Sequence, residues 1–223
     1  MNQEMIAKIL EQVEKGLLSA GDAKKRFKDF FFEDIDYAHV DHHRSIRKGF
    51  PEVIFGQGKT DAQITGIMTA MADHEDIILV TRLSKEKALK IQKKIKQTTY
   101  YEDAHILVLK KREPEIKAEG EILIISAGTS DIPVAKEAYI TAKTMANHVN
   151  SLFDVGVAGI HRLFAHKDLI EKASVIIVVA GMEGALPSVV AGMVKAPVIA
   201  VPTSVGYGTS FGGITALLGM LNS

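Results

Sequence analysis

Four apolar runs in the second half of the chain constrain its fold more than any other feature: EILIISAG (121–128), LFDVGVAG (152–159), SVIIVVAG (174–181) and PVIAVP (197–202). Uninterrupted Ile/Val runs of this length, with no polar alternation, read as strands buried on both faces, the condition of a parallel sheet covered by helices on each side. Helical patterning fills the spaces between them, from about Ser130 to Asn147, from about Leu186 to Val194, and in a closing helix from Gly212. Every run ends in a turn rich in Gly or Pro. In open α/β sheets the binding crevice lies beyond the carboxyl ends of the strands, so these turns are expected to converge on one site.

Charge divides the chain unevenly. The first 118 residues carry 40 of the 54 charged side chains (27 basic and 27 acidic in all) and 6 of the 18 Gly, leaving 14 charges and 12 Gly for the last 105. The shift falls at the charged stretch KKREPEIKAEGE, with Pro114 and Gly120, which reads as a linker. Before it, Ile6, Ile9, Leu10, Val13, Leu17 and Leu18 recur at helical spacing, punctuated by Gly16 and Gly21, and give an amphipathic helix or helical pair. From Pro51, EVIFG, DIILV and HILVL alternate with helical segments capped by Thr60 and Ser84, a small unit of three strands and two helices. The expected organisation is a helical segment over 1–50, a small α/β domain over 51–118 and a second α/β domain over 119–223.

Composition excludes several functions. A formal charge of zero argues against an electrostatic grip on nucleic acid or an anionic membrane, which needs surplus basic residues. Zero Cys removes disulfides, thiolate zinc sites and, within these residues, a cysteine nucleophile. No apolar run reaches the ~18–20 residues of a membrane span, and the amphipathic start does not resemble a secretory signal, so a cytoplasmic protein is expected.

Four turns carry candidate chemistry. In SAGTSD (126–131), Gly128, Thr129, Ser130 and Asp131 sit at a strand-to-helix turn, where backbone N–H groups and hydroxyls suit a phosphate or ribose, or simply cap the helix. DVGVAGIHRLF (154–164) puts Asp154 at the strand and sets His161, able to exchange protons near neutral pH, beside Arg162, able to fork onto a phosphate or carboxylate. In AGMEGALPS (180–188), Gly181, Met182 and Gly184 frame Glu183, a carboxylate with no cation near it in sequence. It is a candidate general acid or base, or a helix N-terminal Glu complementing the dipole. PTSVGYGTSFGG (202–213) can close over a ligand through Ser204, Gly206, Tyr207 and Gly208, with Tyr207 or Phe211 against a flat ring. It lacks the Gly-Lys-Ser/Thr of a Walker loop.

Other features read as ordinary surface. Adjacent His residues point different ways on regular elements, so Asp41, His42 and His43 are expected on a solvated surface, and no metal site built by the protein is expected. The run KALKIQKKIK reads as the wet face of a helix. Arg44, Arg47 and Lys48, spaced by three and four, could present one cationic face to an anionic ligand.

In order along the chain, RSIRKGFPEVIFGQGKT (44–60), ISAGTSDIPVAKEA (125–138), DVGVAGIHRLF, VVAGMEGALPSVVAGMV (178–194) and PVIAVPTSVGYGTSFGG (197–213) together resemble the LarB family. That family's carboxylase/hydrolase begins biosynthesis of the nickel-pincer nucleotide cofactor. The second half also resembles PurE, the aminoimidazole ribonucleotide carboxylase/mutase. The resemblance implies a Rossmann-like three-layer PurE-like parallel-sheet domain and a homo-oligomer, with the PurE octamer as the pattern.

It also implies a reaction. The pyridinium ring of nicotinic acid adenine dinucleotide takes up CO2 or bicarbonate at carbon 5 and the phosphoanhydride is hydrolysed, giving pyridinium-3,5-biscarboxylic acid mononucleotide and AMP. The family's nucleophile is a Cys directly after the LNS that closes this sequence, so the polypeptide is expected to continue beyond Ser223. A chain ending there is expected to bind dinucleotide without carboxylating it. By position on the matched motifs, Glu183 and Asp154 are the proton-transfer candidates, followed by His161. Thr129, Ser130, Asp131, Ser204, Gly206, Tyr207 and Gly208 are assigned to the ligand. No tightly bound cofactor is implied, and any Mg²⁺ would be recruited through the substrate pyrophosphate. The other readings are a PurE-type mutase and a non-catalytic dinucleotide-binding module.

Overall fold

In the computed structural model, which describes residues 2–29, 32–116, 118–206 and 210–222, the amphipathic start becomes a helical pair. Helix α1 (Asn2–Glu14) stops where Gly16 takes a left-handed backbone, φ 69°, a conformation open to Gly at little cost. Helix α2 (Ala20–Asp29) begins at Ser19, whose Oγ accepts the Asp22 N–H at 3.0 Å. Gly21 therefore lies inside the second helix and does not punctuate the pair. By its contacts the chain forms two units, Met1–Glu113 and Pro114–Ser223.

The first unit continues with a short antiparallel hairpin, β1 (Glu33–Asp34) and β2 (His39–Val40), and the one-turn helix α3 (Arg44–Lys48). Then come β3 (Val53–Phe55), α4 (Asp61–Ala72), β4 (Ile77–Thr81), α5 (Lys85–Lys94), β5 (Thr98–Tyr101) and β6 (Ile106–Lys110). Thr60 and Gln63 form a reciprocal capping box at α4, and Ser84 caps α5. The sheet runs in the order β3-β4-β6-β5, parallel at β3/β4 and antiparallel elsewhere. Ile64, Met68 and Met71 of α4 and Ile91 of α5 pack against Ile54, Ile78, Val80 and Leu107.

This sheet has four strands where the sequence pattern gave three. Strand β5 reads Thr-Thr-Tyr-Tyr after a Lys-rich helix, carries no apolar run, and alternates between half-buried and exposed positions at the sheet edge. Tyr100 ties it to the unit by donating to the Leu83 carbonyl at 2.8 Å.

In the second unit, β7 (Glu121–Ser126), α6 (Ile132–Thr144), β8 (His148–Leu152), α7 (Ile160–Phe164), α8 (Lys167–Lys172), β9 (Val175–Ala180), α9 (Ala185–Ala191), β10 (Val198–Pro202) and α10 (Ile214–Leu221) follow in order. All pairings in its sheet, β10-β9-β7-β8, are parallel. Alternate side chains serve two layers. Leu123, Ile125, Ile176 and Val178 pack with Leu163, Ile170, Leu186 and Val190 from α7, α8 and α9. Ile124 and Val179 face Ala135, Val134, Ala138 and Tyr139 of α6. This is the three-layer α/β arrangement of the PurE type.

One strand lies elsewhere than the pattern suggested. The second strand is His148–Leu152, not LFDVGVAG, because an edge strand tolerates polar residues and His148, Asn150 and Ser151 are exposed. Asp154 falls in the loop after it, at φ 61°. No helix among the described residues is long and apolar enough to cross a membrane.

Candidate active site

The carboxyl ends of the four parallel strands meet through specific bonds. Asp131, in the 3-10 turn after β7, is 5% exposed; its Oδ2 accepts the Gly128 N–H at 3.0 Å and its Oδ1 accepts from Thr203 Oγ1, after β10, at 2.7 Å. On the other side of β7, Ser126 Oγ accepts the Asp154 N–H at 3.3 Å and Ser126 O accepts the Val155 N–H at 3.1 Å. The turn after β7 is thereby fastened to the loops after β8 and β10.

The loop after β9 is seated against the loop after β10 by a missing side chain. A Cβ at Gly181 would run into the Val205 carbonyl oxygen and come within 2.8 Å of Thr203 Oγ1, so only Gly admits this approach. Met182 follows with φ 52°, an uncommon conformation for a bulky residue and a point of backbone strain, and the Gly184 N–H donates to Gly181 O at 3.0 Å before α9. Gly206 lies against the Met182 backbone N–H. At the far end of this loop the Glu183 carbonyl abuts Gly219 of α10.

Among the proton-transfer candidates, the Glu183 side chain is exposed and makes no hydrogen bond or ion pair among the described residues. Asp154 Oδ2 accepts from Arg162 Nη1 at 2.8 Å, both side chains remaining open to solvent. The guanidinium lies directly over Gly159, where a Cβ would stand 2.7 Å from Arg162 Nε. His161 is exposed on the first turn of α7, also without a side-chain hydrogen bond among the described residues. Thr129, Ser130 and Ser204 are exposed at their turns, and Tyr207 and Gly208 lie outside the described residues.

Asp131 is drawn inward: burial and two internal hydrogen bonds make it a brace between turns, and its carboxylate takes the Gly128 N–H. In α3, Arg47 pairs with Asp41 Oδ2 at 2.7 Å while staying half exposed, Arg44 lies over the Phe50 ring with Cζ 5.5 Å from its centroid, and Lys48 is exposed.

Sequence reasoning passed over Ser126 and Thr203, both buried. A lone hydroxyl closing an Ile/Val strand, and another directly after the Pro that ends one, were the available signals. His42 also departs from expectation: it is 2% exposed, not solvated, and its ring lies 4.1 Å from that of His74.

Residues 32–112 match the family described as LarB/PurE-like N-terminal domain, and residues 121–223 match the AIR carboxylase family. An uncharacterized protein of Methanocaldococcus jannaschii is 40% identical over 223 residues, covering 96% of this chain and 86% of that relative.

Proposed function

The chain belongs to the LarB family, with a PurE-like C-terminal domain of the carboxylase type, and on that premise we propose that it carboxylates nicotinic acid adenine dinucleotide and hydrolyses its phosphoanhydride. The products are pyridinium-3,5-biscarboxylic acid mononucleotide and AMP. The observation that carries this reading is that the turns after the four strands are fastened to one another and carry two accessible carboxylates, Asp154 positioned by Arg162 and Glu183 without a partner among the described residues.

A pyridinium ring is too electron-poor to attack CO2. Addition of a thiolate to the carbon next to C5 breaks aromaticity and leaves an enamine, whose C5 forms a bond to CO2. A carboxylate then accepts the proton from C5, and departure of the thiolate restores the aromatic cation. Glu183 is suited to take that proton because nothing among the described residues engages its oxygens, whereas Asp154 is held in place by Arg162. The contact of Gly219 with the Glu183 carbonyl supports the arrangement, since it brings α10, the last helix before the position of the family's Cys, against the loop that carries the base. Arg162 and the exposed hydroxyls of Thr129, Ser130 and Ser204 serve the phosphates and riboses.

The site is also proposed to work in a homo-oligomer. Ile214, Leu217, Leu218 and Leu221 form one exposed apolar face of α10, at the i, i+3, i+4, i+7 spacing of a helix that packs against something. Light scattering after size exclusion tests this, and a monomer at micromolar concentration would overturn it.

The reaction is tested by mass spectrometry of products from the dinucleotide and labelled bicarbonate. The comparison is between the 223-residue chain and a chain carrying Cys directly after Ser223. Labelled dicarboxylated mononucleotide plus AMP from the Cys-bearing chain alone is expected. No labelled product from either would overturn the assignment, and turnover of aminoimidazole ribonucleotide would replace it with the PurE-type reaction.

A further inference from the structure

The first unit holds a cluster that the carboxylation reading does not use. Glu33 in β1, His42 just after β2 and His74 just after α4 bring one carboxylate oxygen and two imidazole nitrogens within 4.8 Å of one another. His42 Nε2 and Glu33 Oε2 stand 3.1 Å apart. The two rings are 4.1 Å apart with planes inclined at 46°. His74 Nδ1 is buried and has no hydrogen-bond partner among the described residues.

A buried ring nitrogen without a partner costs free energy, and a hydrogen bond, a water or a metal ion removes that cost. The chemistry of the three groups selects among these. Zinc-type ions bind imidazole nitrogen at about 2.0–2.1 Å and carboxylate oxygen at about 2.0–2.2 Å, which places neighbouring ligand atoms of a tetrahedral site about 3.3 Å apart. The His42–Glu33 pair already has that spacing. Glu33 is the movable member, since 45% of its side chain is exposed, whereas His42 is fixed by burial.

We propose that Glu33, His42 and His74 bind a divalent transition-metal ion of the zinc class, with solvent completing the coordination. Two nitrogens and one oxygen suit such an ion and not Mg²⁺ or Ca²⁺, which take oxygen ligands. The ion ties the β1/β2 hairpin, whose Ile35, Ala38 and Val40 pack against the core, to the connection between α4 and β4. Its role is structural and independent of the reaction proposed for the second unit.

The test uses the full chain, stripped with a chelator and dialysed, with Zn²⁺ as the titrant in calorimetry and Co²⁺ as a spectroscopic probe. The expected result is one equivalent of tightly bound Zn²⁺, intense visible Co²⁺ bands of a low-coordinate site, and a rise in thermal midpoint on adding Zn²⁺. Glu33→Gln, an exposed substitution that leaves the fold intact by far-ultraviolet circular dichroism, is expected to weaken binding at least about 10–100-fold, and His74→Ala to abolish it. Binding that is absent, or that persists unchanged in Glu33→Gln, overturns the proposal, the latter assigning the ion to the exposed histidines. If His74→Ala fails to fold, Glu33→Gln alone decides.

Discussion

Thr203 Oγ1 donates a 2.7 Å hydrogen bond to Asp131 Oδ1 inside the second unit, joining the turn after β7 to the loop after β10 across 72 positions of sequence. Thr203→Val removes the donor while keeping the shape, and leaves a buried carboxylate oxygen short of a partner. A loss of about 1–3 kcal/mol is expected from urea denaturation. Thr203→Ser retains the hydroxyl and is expected to lose less.

Glu183→Gln separates chemistry from stability. The side chain is exposed and bonded to nothing among the described residues, so the denaturation midpoint should stay within about 0.5 kcal/mol of the parent. In the Cys-bearing chain the rate of labelled product formation should fall about 10²-fold or more, the usual range for loss of a general base. An unchanged rate would move the role to Asp154.

Gly159→Ala acts on Asp154 at one remove. The new methyl would stand 2.7 Å from Arg162 Nε and push the guanidinium off its place over the backbone, loosening its bond to Asp154. Because an exposed ion pair contributes only about 0–1 kcal/mol, unfolding should change little. Turnover is expected to fall, and Arg162→Ala should lower it to a similar level. A large drop with Arg162→Ala and none with Gly159→Ala would mean that the guanidinium works from another position.

Gly181→Ala is expected to fail differently. Its methyl would meet the Val205 carbonyl, which is backbone and cannot swing aside, so either the loop after β9 or the loop after β10 must move. About 1–3 kcal/mol of stability should be lost, together with activity, in the same denaturation and product assays.

Tyr100 gives a pH-dependent reading of the first unit. Burial first, then the negative charge of Glu102, raise its phenol above the ordinary tyrosine value of 10, with Lys85 opposing. A folded pKa above the unfolded one means that this contribution is complete below about pH 10 and is lost as pH rises through the folded value. Absorbance near 295 nm should show one late-ionising tyrosine, absent in Tyr100→Phe. That variant should also lose about 1 kcal/mol with its bond to Leu83 O.

What the sequence made legible follows from how each signal is encoded. The Ile/Val runs at 121–126 and 175–180 became the two central parallel strands because a strand buried on both faces has to be apolar throughout, and the run at 198–202 became an edge strand that stayed apolar with no residue fully buried. Edge strands β5 and β8 face fewer neighbours, kept polar residues and were missed or displaced. Likewise the Gly-framed loop around Glu183 was visible, since a close backbone approach leaves its mark in glycine. The brace from Asp131 to Thr203 was not, because a hydrogen bond between distant segments leaves no local pattern, and His42 looked solvated because its contacts with Glu33, 9 residues away, and with His74 are equally silent.

The strand order β10-β9-β7-β8 also sets a timetable for synthesis. Strand β7 emerges first in its unit yet ends up between β8 and β9, so its second flank stays unpaired until residue 180 has left the ribosome, and β9 in turn waits for β10. In the first unit, β5 and β6 are joined by a short turn and can zip as a hairpin as soon as both are made. The nascent chain thus closes its mixed sheet from near neighbours, whereas the sheet that carries the site exposes Ile/Val edges for the longest time. That places the risk of misassembly during translation in the half of the molecule that holds the candidate active site.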